Sequence, residues 1–427
     1  MIEKQEYRPR IADRLLARKL KGKGAVLLEG AKWCGKTTTA EQICRSVLYM
    51  SQPGKREQNE MLARINPELL LAGEKPRLID EWQVAPMLWD AVRFEADHSR
   101  SLGLFVLTGS SVPPDMSEVF HSGTGRFAWV RMRPMSLWES GESTGDISLG
   151  ALFDSPGAIS GFSNLDLKKI AFLTCRGGWP LSVGMEDEIA LDQAFDYVAA
   201  VEKRDVQAVD GVDRDPVRVH KLLRSYSRHQ GSQVSNSALR ADIIKNEGES
   251  LDVDTVSSYI KALKRIFVIE DVEAWNPNLR SKTAIRTSDT RYFTDPSIAT
   301  ASLGIGPSDL INDLEIFGLV FETLCMRDLR VYAEAINGDV YHYRDKNGLE
   351  CDAVVHLRDG KYGLIEIKLG GEAQIEHGAS TLLELADKID SSKMKSPSFM
   401  MVLTAVGDYA YRRPDGVLVV PVGSLKD

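Results

Sequence analysis

The sequence predicts an α/β protein of several domains, on three observations. Its 427 residues exceed what one hydrophobic core usually organises, and roughly two to four domains are expected. Short apolar runs in the first third end in glycine, hydroxyl or carboxylate residues and alternate with amphipathic stretches, as in a parallel sheet with helical crossovers. A second group of three strand-like runs, "DVYHYRD", "LECDAVVHLR" and "YGLIEIKL", follows a long apolar-faced helix near the C-terminus.

Composition narrows the class. Hydrophobic residues make up 43% and charged residues 27%, as in ordinary globular proteins. No run approaches ~18 apolar residues, so no membrane span is expected. The N-terminal "MIEKQEYRPRIADRL" mixes charges where a signal peptide needs an apolar core. The cysteines, Cys34, Cys44, Cys175, Cys325 and Cys351, form no CxxC pair. That usage fits a reducing cytoplasm without structural zinc. A net charge of −8 argues against a surface that coats nucleic acid, though not against a local basic patch.

The first apolar run, "AVLL" from Ala25, leads into "EGAKWCGKTTTA". Gly30, four residues, then Gly35, Lys36 and Thr37 make a phosphate-binding loop between a strand and a helix. Its candidate nucleotide contacts are Gly30, Ala31, Lys32, Trp33, Cys34, Gly35, Lys36, Thr37 and Thr38. Backbone N–H groups of such a loop converge on phosphates, the lysine reaches the terminal phosphates, and the Thr37 hydroxyl is a Mg²⁺ ligand. An indole and a thiol inside the loop are unusual. They do not forbid binding, because the backbone makes the cradle and side chains can point outward.

"RLIDEWQ" supplies a strand ending in Asp80 and Glu81. A carboxylate at a strand's C-terminal end is placed for the metal, and a second for polarising water. Asp80 is therefore assigned to Mg²⁺ and Glu81 to the attacking water. "LFVLTGSS" ends a third strand in Thr108, whose hydroxyl is expected to sense the terminal phosphate or hold the water. "GTGRFAWVRMRP" brings Arg126, the first choice for an arginine reaching the phosphates in cis or from a neighbouring copy, with Arg131 and Arg133 as competitors.

In this order, "GAKWCGKTTT", "LIDEWQ", "LTGSS" and "GTGRFAWVRMRPMSLWE" resemble the AAA-type superfamily of P-loop ATPases. With the later "RYFTDPSIA" and "LECDAVV…LIEIK", the chain resembles a prokaryotic group that joins such an ATPase to a C-terminal domain of unknown function. The resemblance implies ATP and Mg²⁺ as ligands and hydrolysis as the reaction.

Beyond the loop domain the pattern turns helical, with a Gly-Gly-Trp-Pro turn at Gly177–Pro180. "EKRDV" offers Arg204 as a further phosphate-facing candidate. Two helices and a turn precede "LDVDTVSSYIKALKRIFVIEDVEAW", where Val256, Ile260, Leu263 and Phe267 share a helical face. Helices followed by a strand pair are the layout of a winged helix. Lys261, Lys264 and Arg265 would then face a DNA backbone, with Ser257 and Ser258 near bases, or form an ordinary solvated face.

In the C-terminal runs, strand alternation puts Glu350 with Asp352 and Glu366 with Lys368. Asp352, thirteen residues, then Glu366-Ile367-Lys368 resembles the metal-dependent nuclease motif of the restriction-endonuclease-like fold, PD-(D/E)xK. That fold often adds a glutamate from a preceding helix, and Glu322 fits. The resemblance implies a second divalent metal. Register is the test. A two-residue turn at Asp359-Gly360 would put Asp352 and Glu366 on opposite faces, whereas a three-residue loop, Asp359–Lys361, restores the cluster.

The expected organisation is a P-loop core over 1–150, a helical continuation over 151–212, a winged-helix-like module over 213–285 and a nuclease-like α/β domain over 286–427. The leading expectation is a cytoplasmic Mg²⁺-dependent ATPase with DNA, protein partners or its own copies as associates. The alternatives are an ATP-dependent DNA nuclease and a nucleotide-gated switch with little turnover.

Overall fold

The computed structural model describes residues 6–111, 123–157, 159–248, 251–276, 288–389 and 394–427. The chain divides into two compact units. One comprises Met1–Pro134, Lys203–Arg214 and Lys261–Phe267, the other Met135–Glu202, Asp215–Ile260 and Val268–Asp427.

The first unit is built on five strands, β1 (Ala25–Glu29), β2 (Ser46–Tyr49), β3 (Arg77–Asp80), β4 (Phe105–Gly109) and β5 (Phe127–Arg131). Their spatial order is β2-β3-β4-β1-β5, and every pairing is parallel. The unbroken apolar runs of β1 and β4 follow from this, since central parallel strands are covered on both faces. The helix Ile11–Leu20 buries Ile11, Ala12, Leu15, Leu16 and Leu20, one helical stripe. The helix Leu88–His98 buries Leu88, Trp89, Val92 and Ala96. Trp89 stacks on Phe127 with ring centroids 3.8 Å apart, and both join Leu27, Ile79, Phe105 and Leu107 in one core. The C-terminal ends of β1, β3 and β4 thus share an edge, where open α/β sheets bind ligands.

In the second unit, the short β6 (Ile147–Ser148) precedes helices that include Leu167–Arg176 and Asp187–Ala200. The larger sheet uses β7 (Gly338–Arg344), β8 (Glu350–Leu357), β9 (Tyr362–Lys368), β10 (Phe399–Thr404), β11 (Tyr411–Arg412) and β12 (Leu418–Pro421), and β13 (Leu425–Lys426) pairs with β6. Its order is β11-β12-β10-β9-β8-β7. Strands β7, β8 and β9 form an antiparallel meander. The helix Glu372–Lys388 then crosses over to β10, parallel to β9. The long helix Leu314–Ala335 packs on the meander.

The compact units do not divide at the expected boundary of 150. Residues from Met135 onward group with the second unit rather than with the loop domain to 150. Hydrogen bonding explains it: the Leu137 amide donates to Asp328 Oδ2 at 3.0 Å and the Ser143 hydroxyl to the Leu425 carbonyl at 2.7 Å. In the middle, helices Pro216–Ser227, Asn236–Glu247 and Val253–Arg265 follow one another. Val256, Ile260, Leu263 and Phe267 are all buried, although Phe267 lies past the helix end with φ 61°. The expected strand pair is reduced, among the described residues, to isolated antiparallel bridges Ile269–Phe293 and Val272–Thr290. Residues 277–287, which include the end of the module expected over 213–285, lie outside the described residues.

Candidate functional site

The phosphate loop leaves β1 at Glu29 and enters the helix Lys36–Glu41 through Gly35, whose φ of 100° suits glycine. Gly30 is fixed by space, because a Cβ there would meet the Met132 carbonyl oxygen at 2.0 Å. Ala31 and Cys34 are buried, and the Cys34 thiol faces the Met132 carbonyl at 3.4 Å. Lys32, Trp33 and Thr38 point to solvent, Trp33 with a left-handed φ of 65°. Lys32 Nζ pairs with Asp205 Oδ1 at 2.6 Å. Lys36 folds back on its own loop, donating to the carbonyls of Gly30 at 3.0 Å and Ala31 at 2.8 Å.

Three strand ends converge beside it. The hydroxyls of Thr37 and Thr108 both donate to Asp80 Oδ1, each at 2.7 Å. Glu81 follows in a left-handed conformation, φ 58° and ψ 49°. Its carboxylate accepts from Ser110 Oγ at 3.2 Å and from the Gln83 amide. Thr108 stands beside Asp80 in the β3–β4 register, and its hydroxyl orients that carboxylate. Arg126 precedes β5, and its carbonyl accepts from the Ala25 amide, which puts it at the edge opposite the loop. Its guanidinium pairs with Asp97. A five-residue strand separates it from the loop edge, roughly 17 Å of backbone, so Arg126 does not serve its own chain's loop in this conformation. Arg131, at the loop edge, pairs with Glu29 at 2.8 Å and lies 4.2 Å from the Phe267 ring centre. Arg204 is exposed, and its neighbour Asp205 is the residue that meets the loop.

In the second unit, β8 and β9 pair Ala353 with Ile365 and His356 with Tyr362. The Leu357 amide donates to the Lys361 carbonyl at 2.8 Å and the Gly360 amide to the Leu357 carbonyl at 3.0 Å. The loop is therefore Arg358–Gly360, with Gly360 at φ 85°. It has the expected odd length but sits one residue earlier than Asp359–Lys361. Asp352 consequently continues opposite Glu366 rather than Lys368, and the shared face is kept.

That face carries a charge cluster. Lys368 Nζ lies 2.6 Å from Glu366 Oε2 and 3.2 Å from Asp352 Oδ2, and Asp352 Oδ2 also accepts from the Ile367 amide at 2.7 Å. Glu366 is 3% exposed, and its Oε1 is buried without a partner. Burial, then the charge of Asp352, pushes the Glu366 carboxyl up to about 8. Glu322 accepts from the Tyr292 hydroxyl, and burial, then Asp352, raises it well above the usual range. Burial alone would lower Lys368, but Asp352 and Glu366 outweigh it and hold the ammonium charged. Among the described residues no group of three or more His, Cys, Asp or Glu side chains is arranged to hold a metal ion. The expected three-carboxylate set is thus not assembled: the lysine lies between two of the members, and tyrosine engages the third. Glu350, on the same strand, pairs with Arg344 instead.

Residues 22–140 match the AAA domain family. The first unit therefore carries a P-loop domain of the AAA type. Residues 167–309 match a domain of unknown function, DUF8612, and residues 317–425 another, DUF4143. No curated protein matches the chain. Among solved structures, a Walker-type ATPase of Pyrococcus abyssi is 15% identical with a TM-score of 0.42, over 70% of this chain and 99% of that one. The ORC2 protein of Aeropyrum pernix, solved as ADPNP–ADP complexes, is 11% identical with a TM-score of 0.29, over 63% of this chain and 90% of that one.

Three residues of the AAA site escaped sequence reasoning. Arg10 is buried and donates to the carbonyls of Cys34 and Arg133, each at 2.8 Å, so the N-terminal helix braces the loop. Gln83 holds Glu81, and Asp205 holds Lys32. Only Gln83 had a local signal, two residues beyond the carboxylate it touches.

Proposed function

We propose that the AAA domain binds ATP with Mg²⁺ and hydrolyses it. One observation carries this most directly: the Thr37 hydroxyl and the Asp80 carboxylate, from the loop and from β3, lie 2.7 Å apart. A hydroxyl and a carboxylate are the oxygen donors that Mg²⁺ takes in such sites, and Thr108 fixes the carboxylate's orientation. When bound, Mg²⁺ would neutralise charge on the phosphates. Lys36 exchanges its two loop carbonyls for phosphate oxygens, and the loop amides from Gly30 to Thr38 line the phosphate path. Glu81 orients the attacking water once Gln83 and Ser110 release its carboxylate. The side chains of Trp33 and Lys32 lie on the outward face, and only their amides belong to the cradle. Arg126 is left to act on a neighbouring copy. Lys36→Ala should abolish Mg²⁺-dependent binding of a fluorescent ATP analogue. Glu81→Gln should keep that binding and lower turnover by at least roughly a hundredfold. Turnover retained in the second variant would remove Glu81 from its role.

A second function is supported by the orphaned Glu366 Oε1 beside Asp352 and Lys368. A buried carboxylate oxygen without a donor suits a hard cation. Holding a divalent ion here would require Lys368 to leave Asp352 and Glu366 and the Tyr292 hydroxyl to leave Glu322; the ion would then supply water activation and charge neutralisation at a phosphodiester. Lys368 would steady the developing charge. On this basis we read the C-terminal domain as a restriction-endonuclease-like module, and Lys261, Lys264 and Arg265 as separate candidates for contacts with a DNA backbone. Mn²⁺-dependent nicking of plasmid DNA, lost in Asp352→Ala, is the expected result. Nicking that survives this substitution would exclude the cluster.

A further inference from the structure

The helix Leu314–Ala335 carries Gly318 in its interior, where glycine destabilises a helix relative to alanine. The usual reasons are missing. A Cβ on Gly318 would meet nothing within 4 Å, and its φ is not among the positive ones. What Gly318 does is leave room, because it lines a cavity of about 530 Å³. Glu322, one turn along the same helix, also lines it, as does Lys368. Gln374 and His377, from the helix Glu372–Lys388, form another part of the wall, and Leu319 and Leu369 are apolar.

Three of the lining side chains carry nitrogen. An ammonium has three N–H donors, and Lys368 gives two of them to Asp352 and Glu366, leaving the third. Gln374 accepts from the Gly370 amide through Oε1 at 3.3 Å, which leaves its NH₂ group to donate. The His377 ring adds a nitrogen. Volume and lining suit a ligand with one anionic end and a flat apolar body. Glu315 also lines the cavity, and its charge works against a longer polyphosphate tail.

We propose that this cavity binds a single nucleotide unit through its 5′-phosphate, with Lys368, Gln374 and His377 on the phosphate and the base against Leu319 and Leu369 over Gly318. A free mononucleotide and the 5′ end of a strand share that chemistry. The proposal rests on the second function above only for its location, not for cleavage.

The test uses the full chain carrying Lys36→Ala, so that the phosphate loop does not contribute, with chelator present. Deoxyadenosine 5′-monophosphate, deoxyadenosine, and hexadeoxyadenylate with and without a 5′-phosphate are titrated by calorimetry. The phosphorylated probes should bind at least roughly tenfold more tightly than the unphosphorylated ones. A mononucleotide as strong as the hexamer marks a free-nucleotide site, and a stronger hexamer marks a strand end. Gly318→Leu fills the cavity and should weaken binding by a similar factor while the Tm stays level or rises, because leucine favours helix. His377→Ala, on an exposed residue, should weaken binding likewise and carries the test if Gly318→Leu misfolds. No binding, binding indifferent to the phosphate, or binding indifferent to these substitutions overturns the proposal. Plasmid nicking in Mn²⁺ separates the two ideas. Nicking with no nucleotide binding keeps the metal cluster and sinks the cavity, and phosphate-dependent binding without nicking does the reverse.

Discussion

At the scale of single residues, Glu366 is the most demanding group in the second unit. Its carboxyl is pushed up to about 8 by burial and by Asp352, against an ordinary value of 4.5. Between those values the folded protein holds a proton that the unfolded chain has lost. Stability is therefore fully present below about pH 4.5 and drains away as pH rises through about 8. Glu322 is shifted in the same direction, so Glu366→Gln should flatten this fall without abolishing it, and the loss in urea midpoint between pH 5 and pH 8 should be smaller in the variant. An equally steep fall in the variant would mean that Glu366 does not hold the proton. The chemistry-bearing side chains here are legible because local patterns mark them: Asp80 ends the apolar run of Leu78-Ile79, Lys36 follows the loop glycine Gly35, and Lys368 stands two residues beyond Glu366. Their partners were not. Lys32 meets Asp205 and Arg10 meets Cys34 across long stretches of chain, and no local pattern encodes such meetings.

At the scale of elements, what had to be guessed was edge and register. The sequence alone marks Thr108 as a hydroxyl near the end of an apolar strand, but what it touches depends on β4 lying next to β3. That neighbour choice comes from packing, not from either strand's own sequence. Arg126 shows the reverse. Its place just ahead of β5 fixes the sheet edge it occupies once the strand is parallel to β1. The β8–β9 loop kept its odd length while sliding by one residue, because Gly360 takes the left-handed position that closes a three-residue hairpin. Arg10 acts at this scale too, by tying the first helix to the phosphate loop. Arg10→Ala would strand two carbonyls, of Cys34 and Arg133, at about 1–3 kcal/mol each. If part of that loosens the loop, ATP affinity should drop by roughly tenfold in an equilibrium titration. Unchanged affinity would leave Arg10 a purely structural brace.

At the scale of the whole molecule, three family matches in series, 22–140, 167–309 and 317–425, suggest beads on a string, and the folded chain is not organised that way. Neither compact unit is continuous in sequence, since Lys203–Arg214 and Lys261–Phe267 return to the first unit from within the second. Asp205, which holds Lys32, and Phe267, which lies against Arg131, are both on returning segments. The chain carries a net charge of −8, and some of its basic residues are spent in pairs, as with Arg228 to Asp242 and Glu247.

The returning segments bear on how the protein is born. Synthesis runs from the N-terminus, and domains usually fold as they leave the ribosome. Here the phosphate loop emerges early, but Asp205 and Phe267 are still untranslated when it does. The first unit therefore cannot be completed until the chain has been made at least as far as Phe267, well over half of its length.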